Sequence, residues 1–292
     1  MRGYKFMEAD MTCKGFQYEI GTEYSLEDEL QICRNGFHFC EKPFSCLEYY
    51  DNIEGDKRLF LVEALGEIIN ENSKSVTNKI KIVEEIKDIE KFFDDYISKN
   101  EGIIQYNWNR LSSNQKLSES FIEKHVNKVE WVYISLYQKL SEKFIEKHYD
   151  IVNWDYISQY QKLSEKFIDK YKDKVDWYNI SIFQTLSEEF IEKHSDNVDW
   201  ECISIYQKLS EGFIEKYVDM VSWVDISKWQ TLSEEFIEKY KNKVDWYWIS
   251  KYQKLSENFL EKYLDKVDWS SISQYQTLSK EFVEKCYNKF IW

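Results

Sequence analysis

Proline is almost missing from this chain: Pro43 is the only one in 292 residues. Glycine is scarce too, and Gly3, Gly15, Gly21, Gly36, Gly55 and Gly66 leave only two for the rest of the chain out of a total of 8. The residue types that punctuate regular structure are therefore crowded into the N-terminal quarter, and the architecture is expected to change after Gly66. Basic charge is also short. Lys and Arg number 39 against 53 Asp and Glu, a formal net charge of −14, so no broad cationic face and no nucleic-acid partner are expected. No run approaches the ~18 apolar residues of a membrane span, and the opening MRGYKFMEADM lacks the apolar stretch of a secretion signal. The chain is expected to stay off membranes and in the cytoplasm, where Cys13, Cys33, Cys40, Cys46, Cys202 and Cys286 would be thiols rather than disulfides.

What the chain has in quantity is a repeat. The sentence LSEKFIEKHYDIVNWDYISQYQK, Leu140 to Lys162, is 23 residues long and recurs in full from Leu117, Leu140, Leu163, Leu186, Leu209, Leu232 and Leu255, with a truncated copy from Leu278. Each copy carries two helix starts. Ser141 is placed to cap the first helix, with Glu142 at its positive end and Lys147 and His148 at its negative end. Asn153 is placed to cap the second, which opens on Trp154; sister copies offer Asp176, Asp199, Asp245 and Asp268, or Ser222, and the weak Glu130. Two helices of about eight residues each are too short to stand alone, so the copies must stack on one another as a solenoid.

Fixed letters then assign roles. The Phe column (Phe121, Phe144 and successors) and the Trp column are expected to form core ladders, the Ser after each Ile to permit close helix approach, and the Gln column to bond backbone between helices. The two positions after each Trp vary between copies, which predicts a solvent-facing, partner-binding stripe of Tyr133, Tyr156, Tyr178, Tyr247 and Trp248. Packing between neighbouring copies is the other reading of those rings. At the end of the chain, Phe290, Ile291 and Trp292 either fold back as a cap or meet another molecule.

The N-terminal region reads differently. RLFLVEALGEII (58–69) and SVTNKIKIV (75–83) have strand character, KPFSCLEYY (42–50) suits a short helix, and IKDIEKFFDDYISK (86–99) has helical spacing and would cap the array. The expected architecture is an α+β head over 1–85, a helical connector with a divergent first repeat over 86–116, and an all-α solenoid of 23-residue two-helix repeats over 117–292. Cys13, Cys33, His38 and Cys40, with Cys46 nearby, are the ligand types of a tetrahedral zinc site, so a zinc-stabilised structural head is one reading.

The succession CKGFQYEIG, RNGFHFCEKPFSCLEYY and RLFLVEALGE, covering about residues 10–68, resembles the start of an ADP-ribosyltransferase catalytic domain, and resembles more closely an uncharacterised head domain of bacteriophage and clostridial proteins. That resemblance implies that Lys14 and Gly15, on a first strand, face the nicotinamide ribose of NAD, and that Gly36, Phe37, His38 and Tyr49 or Tyr50 form the nicotinamide-stacking segment. The family's catalytic Glu would fall in SVTNKIKIV, where Asn78 and Lys79 stand instead, with Glu84 and Glu85 beyond. Two outcomes follow: a catalytically degenerate module, or an active mono-ADP-ribosyltransferase with Lys14, His38 and Glu84 in its site and the solenoid selecting the target. The W-x2-IS-x2-Q-x-LSE-x-FI pattern resembles repeats of giant-virus and phage proteins, which carry no activity with them. A protein partner on the solenoid is the leading functional expectation.

Overall fold

Residues 1–49, 57–100, 107–114 and 116–286 are described by the computed structural model, and the chain falls into two units, Met1–Tyr156 and Ile157–Trp292. The head, within the first unit, contains β1 (Arg2–Met7), β2 (Thr12–Cys13), β3 (Phe16–Gln17), β4 (Glu23–Ser25), β5 (Phe37–Phe39), α1 (Pro43–Cys46), β6 (Arg58–Ala64), β7 (Ile68–Glu71), β8 (Lys74–Thr77) and β9 (Lys79–Ile86). They pair antiparallel as a four-stranded sheet in the order β1-β6-β9-β4, a three-stranded sheet β5-β8-β7 and the hairpin β2-β3. Alternation sets the faces: Ile80 and Ile82 of β9 are buried, while Lys79 and Lys81 point outward toward Glu23. Phe37, Phe39, Phe60, Val62, Ile80 and Ile82 make the core here, each full burial contributing about 1.5–3 kcal/mol.

Each of the two segments expected as single strands is two. RLFLVEALGEII breaks between β6 and β7, and SVTNKIKIV breaks at Asn78 between β8 and β9. The breaks hold one another. Asn78 Oδ1 accepts the Glu67 N–H at 2.9 Å, and a Cβ on Gly66 would lie 2.0 Å from that same oxygen, so a larger residue there would push Asn78 out of this bond.

The connector helix α2 (Ile89–Lys99) starts later than 86 because Ile86 still belongs to β9, and Asp88 caps it by accepting the Lys91 N–H at 3.0 Å. It imitates the first helix of a repeat. Glu90 accepts from the backbone and hydroxyl of Ser118, as Glu119 accepts the Ser141 N–H at 2.5 Å. Asp94 receives Lys124 and His125, as Glu123 receives Lys147 at 2.6 Å and His148 at 2.8 Å. With Phe93 and Ile97 buried beneath, α2 extends the core from Phe6 and Phe44 of the head to Leu111, Phe121 and Ile134 of the first copies.

The repeat helices are shorter than the expected eight residues: six in Glu165–Lys170 and seven in Trp177–Phe183, and the same in the other copies. In the second unit, Ser164 accepts the Phe167 N–H at 3.2 Å and Asp176 the Asn179 N–H at 2.7 Å, as the cap reading requires. In the first unit Asn153 caps Tyr156 at 3.0 Å and Glu130 makes no cap bond. Ser222 departs from the expectation. Its hydroxyl donates to Asp225 at 2.6 Å instead of accepting from the helix.

The Gln column bonds backbone between copies. Gln207 donates from Nε2 to the Ser181 and Gln184 carbonyls, at 2.9 and 2.8 Å, and accepts the Leu186 N–H at 3.0 Å. The Ser column does more than leave space: Ser181 donates to the Trp177 carbonyl at 2.7 Å and accepts the N–H of Asp199, the next cap residue, at 3.0 Å. The Phe column is buried. The Trp column is half-buried, its rings stacked near Phe of the following helix, as for Trp200 and Phe213 at 6.3 Å. Phe290, Ile291 and Trp292 lie outside the described residues.

Candidate functional site

The head holds a cavity of about 380 Å³, within the range of small-molecule sites. Two turns build its mouth. Lys14 and Gly15 are the central pair of the β2–β3 hairpin, with φ of 50° and 79°, the left-handed pairing of a two-residue turn, which Gly15 adopts without strain. They therefore sit at the tip of a turn and not on the first strand, which is β1. Gly36, at φ 115°, admits the chain beneath Leu30 and Val76, where any Cβ would lie 2.4 Å from the Val76 side chain, and delivers Phe37 and His38 into β5.

Of the residues singled out from the sequence, Lys14, Gly36, Phe37, His38 and Tyr49 line this one cavity, and so does Cys13. Gly15 is at the adjoining turn position, and Tyr50 lies outside the described residues. Glu84 does not join them. It is exposed on β9 opposite Leu61, and Glu85 beside it is paired with Arg58 at 2.8 Å. Asn78 and Lys79 are also used elsewhere, by Glu67 and Glu23.

The lining also includes Lys5, Arg34 and Lys74, the rings of Phe16 and Tyr18, and Leu26 and Asn35. No Asp or Glu is among the described lining residues. In a chain of net charge −14, this is a local inversion of sign. Lys5 is the unusual member, only 2% exposed on β1. Its Nζ donates to the His38 carbonyl at 2.8 Å, meets the Cys13 thiol and lies 5.5 Å from the centre of the Tyr18 ring. Burial depresses its affinity for a proton, and the neighbouring Cys13 partly offsets that. Lys74 lies 3.9 Å from the centre of the Tyr49 ring and 3.5 Å from the Cys33 sulfur. Tyr49 is held by Ser73 at 2.7 Å, which donates on to Glu48 at 2.7 Å.

His38 is engaged as a structural acceptor: its Nε2 takes the Cys33 N–H at 2.8 Å. Burial first, and then the charges of Lys5, Lys14 and Lys74, lower its pKa to about 4, so the ring is neutral near pH 7. The cysteine set does not gather. The six cysteines are thiols and not disulfides, Cys40 and Cys46 are buried in the core, Cys33 is exposed, and no three His, Cys, Asp or Glu side chains among the described residues converge as metal ligands. Hence the zinc reading loses its geometry. Among these residues, no helix is long and apolar enough to cross a membrane.

On the repeats, the first position after each Trp is exposed in every copy, and this includes Tyr178 and Tyr247. The second is half-buried or buried, so Tyr133, Tyr156 and Trp248 are only partly open. Trp248 is covered because its ring lies 5.6 Å from that of Tyr252 and 4.4 Å from the Lys228 ammonium. A different column is open throughout: Tyr137 in the first unit and Tyr160, Phe183, Tyr206, Trp229, Tyr252 and Tyr275 in the second. In the second unit Trp229 and Tyr252 lie nearly parallel, 6.5 Å apart. The four-residue stretches around these rings contain Lys139, Lys162, Lys208, Lys228, Lys251 and Lys254 and no acidic residue. The signal in the sequence was an aromatic, of varying kind, just before every Gln.

A family model described as a domain of unknown function (DUF7666) matches residues 1–94, which fits a head distinct from the repeats. No curated protein and no solved structure matches the chain.

Proposed function

We propose that this is a protein-interaction protein, whose solenoid holds a partner protein along the open aromatic column and whose head is an ADP-ribosyltransferase-like module without transferase chemistry. One observation carries the reading: an exposed ring closes every second helix, with no acid beside it in any copy and a lysine beside it in five of the seven, in a chain of net charge −14. Large aromatics left this exposed bury little area in the stack, and a contiguous row of them marks a binding surface. The partner surface is then apolar with acidic borders. The cytoplasm of a cell, a bacterial host if the gene is phage-related, is the proposed setting. The test compares proteins retained from a lysate by the immobilised full chain and by its Tyr206→Ser/Trp229→Ser/Tyr252→Ser variant. Loss of a specific protein at unchanged thermal midpoint supports the reading, and identical retention refutes it.

An active mono-ADP-ribosyltransferase is the rival, favoured by the convergence of Lys14, Gly36, Phe37, His38 and Tyr49 on one cavity. Its weakness is the absence of a carboxylate from the described lining, since a developing oxocarbenium needs a nearby negative charge. Radiolabelled NAD with lysate decides: a labelled acceptor that disappears with His38→Ala would favour the rival, and no label rejects it.

A further inference from the structure

We propose that Lys5 is a covalent modification site: its amine forms a Schiff base with an oxo acid, a carbonyl compound carrying a carboxylate and an apolar body, that enters the head cavity. This goes beyond partner binding by the repeats and requires no transfer to a target protein.

Placement singles out this amine from the other lysines of the chain. Lys5 is 2% exposed on β1, yet it lines a cavity whose opening carries Phe16 and Tyr49, each 39% exposed. Its neighbours are the His38 carbonyl at 2.8 Å, the Cys13 thiol and the face of the Tyr18 ring, with no carboxylate among them. An ammonium held there has given up its water without gaining an opposite charge, which favours the neutral amine. Only the neutral amine has the lone pair that attacks a carbonyl, and desolvation is what makes a lysine a Schiff-base former. A surface lysine with an ordinary proton affinity is neutral in only about one molecule in a thousand at neutral pH.

The step consumes no oxidant or reductant. One N–H of the neutral Lys5 donates to the His38 carbonyl, leaving the lone pair for the ligand. As the C–N bond forms, the carbonyl electron pair moves to oxygen, which takes one amine proton to give a carbinolamine. The C–O bond then breaks, the oxygen leaves as water with the second amine proton, and C=N remains.

The rest of the lining selects the ligand. Lys14, Arg34 and Lys74 face no acid among the described lining residues, and ammonium and guanidinium groups of this kind hold a carboxylate. Phe16 packs on Tyr18 and Phe37 with ring centres 4.7 and 5.7 Å apart, an aromatic wall for an apolar body.

The full chain incubated at neutral pH with phenylpyruvate, pyruvate or benzylacetone, each with cyanoborohydride to fix any imine as a secondary amine, tests this by peptide mass spectrometry. Phenylpyruvate should label Lys5 at least about tenfold faster than any surface lysine. Pyruvate, which lacks the ring, and benzylacetone, which lacks the carboxylate, should each label it about tenfold or more slowly than phenylpyruvate. Lys5→Arg should leave only the slow surface labelling. Since a buried core change can perturb folding, a second variant, Lys14→Asn/Lys74→Gln, keeps Lys5 and removes two cavity charges, and Asn keeps the left-handed turn; labelling of Lys5 should slow about tenfold or more at an unchanged thermal midpoint. Lys5 left unlabelled or labelled no faster than surface lysines, pyruvate or benzylacetone reacting as fast as phenylpyruvate, or a full rate in the second variant would each overturn the proposal. None of these outcomes bears on the lysate retention that tests the repeats.

Discussion

Replacing Gln207 by Ala should be among the most damaging single changes in the repeat array, although it alters one uncharged side chain. Gln207 makes three buried hydrogen bonds: two to the preceding copy, at the Ser181 and Gln184 carbonyls, and one to the Leu186 N–H at the start of its own copy. Alanine leaves all three backbone groups without their partner. An unsatisfied buried group costs about 1–3 kcal/mol, so the loss is about 3–6 kcal/mol, taking the lower values where the new space admits water. Gln276 supplies the internal control. It makes the same contacts, to Ser250, Gln253 and Leu255, but is partly exposed, so solvent can replace it and Gln276→Ala should cost about 1–2 kcal/mol. Urea unfolding followed by Trp fluorescence, with amide exchange at Leu186, measures both variants. Because stability in a repeat array is carried between neighbours, the Gln207 variant should also broaden or split the transition. If Gln207→Ala falls within about 1 kcal/mol of the parent, or costs no more than Gln276→Ala, the ladder is not what couples the copies.

Other perturbations test other links. Glu130→Asp should install the cap bond that Asp176 and Asp199 make in sister copies, raising stability by about 0.5–1 kcal/mol in thermal or urea unfolding; no change would mean that the cap geometry differs there. His38, lowered to about 4 from 6.5, takes its proton in the unfolded chain first, so its contribution is intact above pH 6.5, declines as pH falls toward 4 and is constant below. At this half-exposed site solvent screening leaves about 1–2 kcal/mol, and His38→Gln should flatten that part of the stability-against-pH curve. Trp229→Ser with Tyr252→Ser should change unfolding free energy by less than about 1 kcal/mol, since both rings are exposed, and a larger loss would make the column structural.

The repeats were legible because one chemistry is written many times: Ser before an acidic turn, a cap before Trp, and Gln after an aromatic each keep one place in every copy. Where a feature depends on two distant residues, sequence reading fails. Gly66 and Asn78 fix one another's corners across two strands, and neither segment alone contains a break. The imitation of a repeat by α2 was hidden by spacing, because Glu90 reaches a Ser118 that is 28 residues away where Glu119 reaches Ser141 over 22.

Surface and site divide along the same line. Variation correctly marked the first position after each Trp as open. It failed at the second because that residue lies one helical turn before the aromatic of its own helix and rests on it, as Tyr133 does on Tyr137 at 6.2 Å. Recurrence alone does not mark core: the aromatic before each Gln is present in every full copy and solvent-facing in every one. In the head, the residues of two short turns were legible as a group. Lys5 was not, since a lysine in GYKFM looks like the outward letter of an ordinary edge strand, and only the folding of the β2–β3 hairpin and β5 over it turns that letter inward. A buried cation can be recognised only after its neighbours are known.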